Sequence, residues 1–273
     1  MKKELILNPT IGADVEVFLK NKQGEVVTAE GIIRGTKYDP FQFLEDQPFF
    51  ATSLDNVMAE FSIPPVKTRE DFAKNIQTSM DYISSILPQD LSIFAFPAAE
   101  LDEKFLQTEN SLTFGCDPDF NAWNHGLMNQ PPNPYALGTL RTCGGHVHVG
   151  YDNPDVLVSM SLIKAMDLFI GLPMLLAEPN NQRKNVYGKA GAFRPKAYGV
   201  EYRTVSNYYI NNKDGMQWIF DATNRAIDFI NGGNDFSENE GASIVEGINT
   251  GNLPKAREIL KYFGVPHYLQ KAA

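Results

Sequence analysis

A chain of 273 residues can bury a sizeable core, and 43% hydrophobic, 11% aromatic and 21% charged residues make an ordinary globular composition. The net charge of −9, with lysines and arginines scattered, excludes a nucleic-acid surface; an anionic substrate would have to be met by a few local arginines and metal ions. No apolar run approaches membrane-spanning length, because the longest, Leu168 to Ala177, is interrupted by Gly171 and Pro173.

Met1 to Leu7 is too short in its apolar part for a signal peptide, and Cys116 and Cys143 form no disulfide framework, so a cytoplasmic setting is expected. Gly12 to Lys20 alternates as a strand, with Val15, Val17 and Leu19 on one face and Asp14, Glu16 and Phe18 on the other. Asn21 to Gly24 reads as a hairpin turn into Glu25–Thr28, and Gly31 to Pro48 as a long irregular loop. From Asn56 the alternation returns. Val57, Ala59, Phe61 and Ile63 oppose Asn56, Met58, Glu60 and Ser62, until Pro64-Pro65 stops the strand.

Thr68 caps a predicted amphipathic helix carrying Phe72, Ile76, Met80, Ile83 and Leu87, ended by Pro88. Ser92 to Phe96 is a further strand, and Gly115 to Pro134 a surface excursion rich in Pro, Asn, Asp and Gly. Gly145 to Gly150 is a short strand with His146 and His148 on one face and Val147 and Val149 on the other. Asn153 caps a helix with Pro154 at its first position, and Glu178 to Pro195 is expected to be a mobile basic loop. Gly199 to Val205 sets Glu201 and Arg203 against Val200 and Tyr202. Helices over Asp214–Asn231 and Pro254–Phe263 complete the chain, which shows no repeat and no domain boundary, so residues 1–273 are read as one domain. Strands interleaved with few helices predict an α+β fold: a mainly antiparallel sheet, one face covered by helices and the other polar and open.

Asp14, Glu16, Glu60, His146, His148, Glu201 and Arg203 each lie at even spacing within their strand. Singly, each pair reads as a solvated strand face or a same-face ion pair. If the sheet gathers them, the carboxylates need cations between them, since repulsion would otherwise neutralise some. Mostly oxygen ligands with one or two imidazoles favour Mg²⁺ or Mn²⁺ and leave zinc open. His125 and His267 sit in loop or terminal contexts, and Cys143 is read as a small buried side chain.

Four stretches carry a family likeness: Gly12-Ala13-Asp14-Val15-Glu16, Asp55 to Phe61, Gly145 to Gly150, and Ala192-Phe193-Arg194 followed by Tyr198 to Arg203. The chain resembles the phage-encoded carboxylate–amine ligases (amidoligases), a branch similar to glutamate–cysteine ligase and glutamine synthetase. The resemblance implies a curved antiparallel sheet with helices on its convex face, cupping ATP and two or three Mg²⁺ or Mn²⁺ ions. By matched position it makes Glu16, Glu60, His146 and Glu201 metal ligands, with Asp14 bound more loosely. Arg203 and Arg194 would hold the transferring γ-phosphoryl group, and His148 would sit near the phosphates. It further implies catalysis in a host cytoplasm and small-molecule or peptide carboxylate and amine substrates; a homo-oligomer is compatible with it.

Two readings compete. A metal-dependent hydrolase could use the same histidines and carboxylates without ATP, but would have little need of Arg194 and Arg203. A non-catalytic phage accessory protein could keep the fold for binding, and would be marked by missing ligands. A guanidino phosphotransferase on a similar fold would not require the His-x-His strand.

Overall fold

A computed structural model describes residues 5–112, 119–130, 138–178 and 182–266. Its strands, in chain order, are β1 (Thr10–Asn21), β2 (Val26–Val27), β3 (Phe41–Gln42), β4 (Ala51–Asp55), β5 (Met58–Val66), β6 (Leu91–Phe94), β7 (Ala98–Glu100), β8 (Phe120–Asn121), β9 (Leu127–Met128), β10 (Leu140–Thr142), β11 (Gly145–Gly150), β12 (Ala192–Lys196) and β13 (Gly199–Tyr202). The helices are α1 (Arg69–Ile86), α2 (Glu109–Leu112), α3 (Val156–Met166), α4 (Leu172–Ala177), α5 (Gln182–Val186), α6 (Lys213–Asn231), α7 (Glu238–Thr250) and α8 (Leu253–Phe263).

The expected α+β class holds. Among the described residues, antiparallel pairing gives the order β3-β4-β5-β1-β11-β13-β12-β8-β9, with β2 and β6 added along the second half of β1; the sheet is open. β7 and β10 form a separate ribbon. The apolar sides of the strands (Val15, Val17, Phe61, Val147, Val149, Val200) are buried beneath α1, α3 and α6. Strand alternation therefore leaves the even-numbered residues of β1 and β11, and those of β5 as far as Ser62, on the other face. That face is closed at one end, where Phe18 packs with Val57, Met58, Leu101, Leu106 and Cys143.

Several local expectations change. Asn56 and Val57 belong to a two-residue turn, with Asn56 at φ 56°, that joins β5 to the unforeseen β4. The left-handed conformation suits asparagine better than most residues. Pro64-Pro65 does not stop β5: the register slips between Ile11/Val66 and Ala13/Ile63, so both prolines sit in a bulge where no ladder N–H is needed. Thr68 does cap α1, accepting from the Asp71 N–H. α3 is capped by Asp155 rather than Asn153, since the Asp155 carboxylate accepts from the N–H groups of Leu157 and Val158.

Gly171 and Pro173 do not interrupt the apolar segment either. α3, a π-helical turn over Asp167–Gly171 and α4 run on as one helix, Val156–Ala177, long and apolar enough by composition to cross a membrane, and largely buried within the fold. The predicted mobile basic loop at 178–195 contains α5 and β12, with Arg183 and Lys184 buried. β8 and β9 extend the sheet from within the 115–134 excursion, of which residues 115–118, with Cys116, and 131–134 fall outside the described residues, as does His267. α7 was not predicted, although Ser237 and Glu240 form a capping box at its start.

Candidate active site

The register assembles the site rung by rung. Ser53 on β4 faces Glu60 on β5, which faces Glu16 on β1. One rung along, Ser62, Asp14 and His146 are in line; on the next, Gly12, His148, Glu201 and Arg194. All the predicted site residues thus share the polar face. Asp14, Glu16, Glu60, His146, Arg194, Glu201 and Arg203 line one cavity of about 290 Å³. His148 lies at its edge, its Nε2 3.0 Å from Asp14 Oδ2 and its Nδ1 2.5 Å from the Tyr198 hydroxyl.

The cavity has two unlike ends. At the first, carboxylate oxygens of Glu16, Asp55 and Glu60 all lie within 4.8 Å of one another. Burial, then the charge of Asp55, pushes Glu16 up to about 7. Burial raises Asp55 as well, and burial with the charges of Asp55, Asp14 and Glu16 holds Glu60 well above its usual range. Glu16 Oε2 accepts from the Gly144 N–H at 2.6 Å, and Ser53 donates to Glu60 at 2.8 Å. At Gly144 a Cβ would stand 2.3 Å from His146 Nε2, so glycine is required for the imidazole to sit there.

At the second end, Glu201 is ringed by cations: Arg203, Lys196 Nζ at 2.9 Å and Arg194 Nη1 at 3.4 Å, with His146 Nδ1 at 3.5 Å. Burial works to raise Glu201, but Arg203, the histidines and Arg194 overcome it and hold the carboxyl well below its usual range. Arg203 also reaches Asp119 Oδ1 at 3.3 Å. Burial and the adjacent Arg203 keep His146 neutral, well below the ordinary imidazole range; burial would lower His148 too, but Asp14 raises it.

Three clustered carboxylates that burial and repulsion would otherwise protonate are a donor set suited to a hard divalent cation. The buried His146 Nε2 makes no hydrogen bond among the described residues. Glu16 and Glu60, with Asp55, therefore fit a metal; Asp14 engages His148, Glu201 engages cations, and His146 lines the same cavity outside that cluster. Sequence reasoning missed Asp55, Lys37, Lys196 and Asp119. Asp55 was legible: it opens the Asp55–Phe61 motif, and an Asn-Val turn after it would have aligned Ser53 and Asp55 with Glu60. Lys196 repeats the even spacing of Arg194, hidden by the loop expected there.

The profile of the family described as phage phiEco32-like COOH.NH2 ligase-type 2 matches residues 134–222. The likeness to carboxylate–amine ligases is borne out. The matched stretch holds the His146, Arg194, Glu201 and Arg203 end of the cavity, and its description supports an amide-bond-forming ligase. Among solved structures, a bifunctional glutathione synthetase from Pasteurella multocida matches at 12% identity with a TM-score of 0.44, covering 94% of this chain and 47% of its own. The chain thus spans about half the length of that protein, and likeness at this level carries no argument. No curated protein matches the sequence.

Proposed function

We propose that the protein is an ATP- and divalent-metal-dependent ligase that joins a carboxylate to an amine through an acyl phosphate. The observation that supports this best is the division of one cavity into a wall of carboxylates and a wall of cations. A hydrolase relying on a metal-bound water would have no use for Arg194, Lys196 and Arg203 around one glutamate. In this reading residues 1–273 form one catalytic unit, and the polar face of a curved sheet cups the nucleotide.

A carboxylate resists amines because it is anionic and has a poor leaving group. Attack of its oxygen on the γ-phosphorus breaks the bond to ADP and makes an acyl phosphate. The amine nitrogen then attacks the acyl carbon, phosphate leaves, and the amine gives up a proton. Glu16, Asp55 and Glu60 would hold Mg²⁺ or Mn²⁺, which when bound neutralises phosphate charge. Arg203 and Arg194 face the transferring group and stabilise the charge that builds on it, and Glu201 orients them. His148, held by Asp14 and Tyr198, stands at the rim where the phosphates would pass.

The test is ADP release with Mn²⁺ or Mg²⁺ on adding candidate amino acids, amines and peptides. Glu16→Gln and Arg203→Ala should each abolish turnover with the circular dichroism spectrum unchanged. Wild-type rates in either variant would reject the site, and hydrolysis without nucleotide would favour the hydrolase.

A further inference from the structure

Behind the cation wall lies a feature that the proposed chemistry does not itself call for. α5 carries two adjacent basic side chains, Arg183 and Lys184, at 0% and 3% exposure. Among the described residues neither makes an ion pair. Both spend their hydrogen bonds on backbone carbonyls instead. Arg183 donates to Thr204 O at 2.7 Å and to Arg203 O at 3.2 Å; Lys184 Nζ donates to Thr204 O at 2.7 Å and Gly188 O at 2.6 Å. Gly188, at φ 68°, leaves room for this: a Cβ there would stand 1.9 Å from the Arg183 guanidinium.

The next turn of chain completes the hold. The Tyr187 ring lies 5.0 Å from the Arg183 guanidinium, 5.6 Å from that of Arg203 and 6.1 Å from the His146 ring. Arg203 is thus gripped twice, at its own carbonyl from Arg183 and at its side chain from Tyr187. Burial and the adjacent Arg183 bring Lys184 down to about 7, so the lasting buried charge is that of Arg183, and a neutral donor would hold a carbonyl at less cost.

We infer that Arg183 is a positioning residue, which through the Arg203–Thr204 carbonyls and Tyr187 fixes the Arg203 guanidinium on the cavity wall. Its catalytic meaning rests on the ligase reading; the geometry it asserts does not. The test follows the Arg203 side chain directly, as its Nε–Hε resonance in ¹⁵N-labelled protein, assigned by loss in Arg203→Lys. In Arg183→Met this signal should broaden or shift, while in Ile227→Val, a core variant that destabilises without touching the site, it should stay. The kcat for ADP release should fall about 100-fold in Arg183→Met with KM for the acid and amine within about twofold, and Arg183→Lys should recover part of the loss. An unchanged Arg203 resonance in Arg183→Met overturns the inference whatever the turnover. If that variant fails to fold, Tyr187→Leu is read by the same criterion. A wild type that releases no ADP while the resonance responds to Arg183→Met would defeat the ligase reading and leave the positioning role standing.

Discussion

Glu16 and Glu201 are the same residue type, on strands separated only by β11, both almost wholly buried, and yet they ionise in opposite senses. Burial alone would raise both. What separates them is company: Glu16 has Asp55 and Glu60 beside it, whereas Glu201 has Arg194, Lys196 and Arg203. The acidic end is an anion cluster awaiting positive charge, and the other is an anion already saturated with it. A cavity built this way separates the task of binding cations from the task of meeting phosphate.

The sharpest way to break the contrast is to neutralise the saturated glutamate. Glu201→Gln would leave three buried or half-buried cations around an uncharged amide, and should cost about 3–5 kcal/mol in urea unfolding. A loss under 1 kcal/mol would mean the cations are solvated in the native protein.

The second test uses pH on the metal-free protein. Glu16 binds its proton up to about pH 7 when folded, against an ordinary value of 4.5. Between those values the native state holds a proton that the unfolded chain has released, so stability falls as pH rises, by about 3 kcal/mol at most. Thermal melts from pH 5 to 8 should show this fall, and Glu16→Gln should lessen it, the raised Asp55 and Glu60 acting in the same sense. Glu201 has the opposite sign: its contribution is present above the unfolded value and is lost only as pH falls through its depressed native one. A melting temperature that climbed steadily from pH 5 to 8 would contradict the assignment of Glu16.

The smallest expected effect concerns the residue that the motifs left unassigned. Asp55→Asn should weaken Mn²⁺ binding by about 10–100-fold in calorimetry. It should also move the pH midpoint of the Glu16 effect downward, because Asp55 is the largest charge acting on that carboxyl. Unaltered Mn²⁺ affinity would remove Asp55 from the metal set.

Much of this site was legible because strand alternation is a local rule. Once Asp14, Glu16, Glu60, His146, His148, Glu201 and Arg203 were seen at even spacing, each strand declared its polar face without any knowledge of its neighbours. Register was not legible. That Glu16 pairs with Glu60 while Glu201 pairs with Arg194 depends on which strands are adjacent, so the division into two ends could not be foreseen. The 178–195 segment misled for a related reason. Its glycines and charges look like a loop, and nothing local reveals that Arg183 and Lys184 donate to carbonyls twenty residues further along. The helix through Gly171 and Pro173 shows the same limit: Asp167, accepting from Trp123, Tyr202 and Gly191, anchors its π-turn from outside the segment.

Gly144 has a reach beyond its size. One peptide unit supplies the N–H that Glu16 leans on, and the bare α-carbon beside it is the floor under the His146 ring. An acid from one strand and an imidazole from another are thereby mounted on a common bracket. A single methyl group at that point would unseat the imidazole beside the acid, although neither residue had been altered.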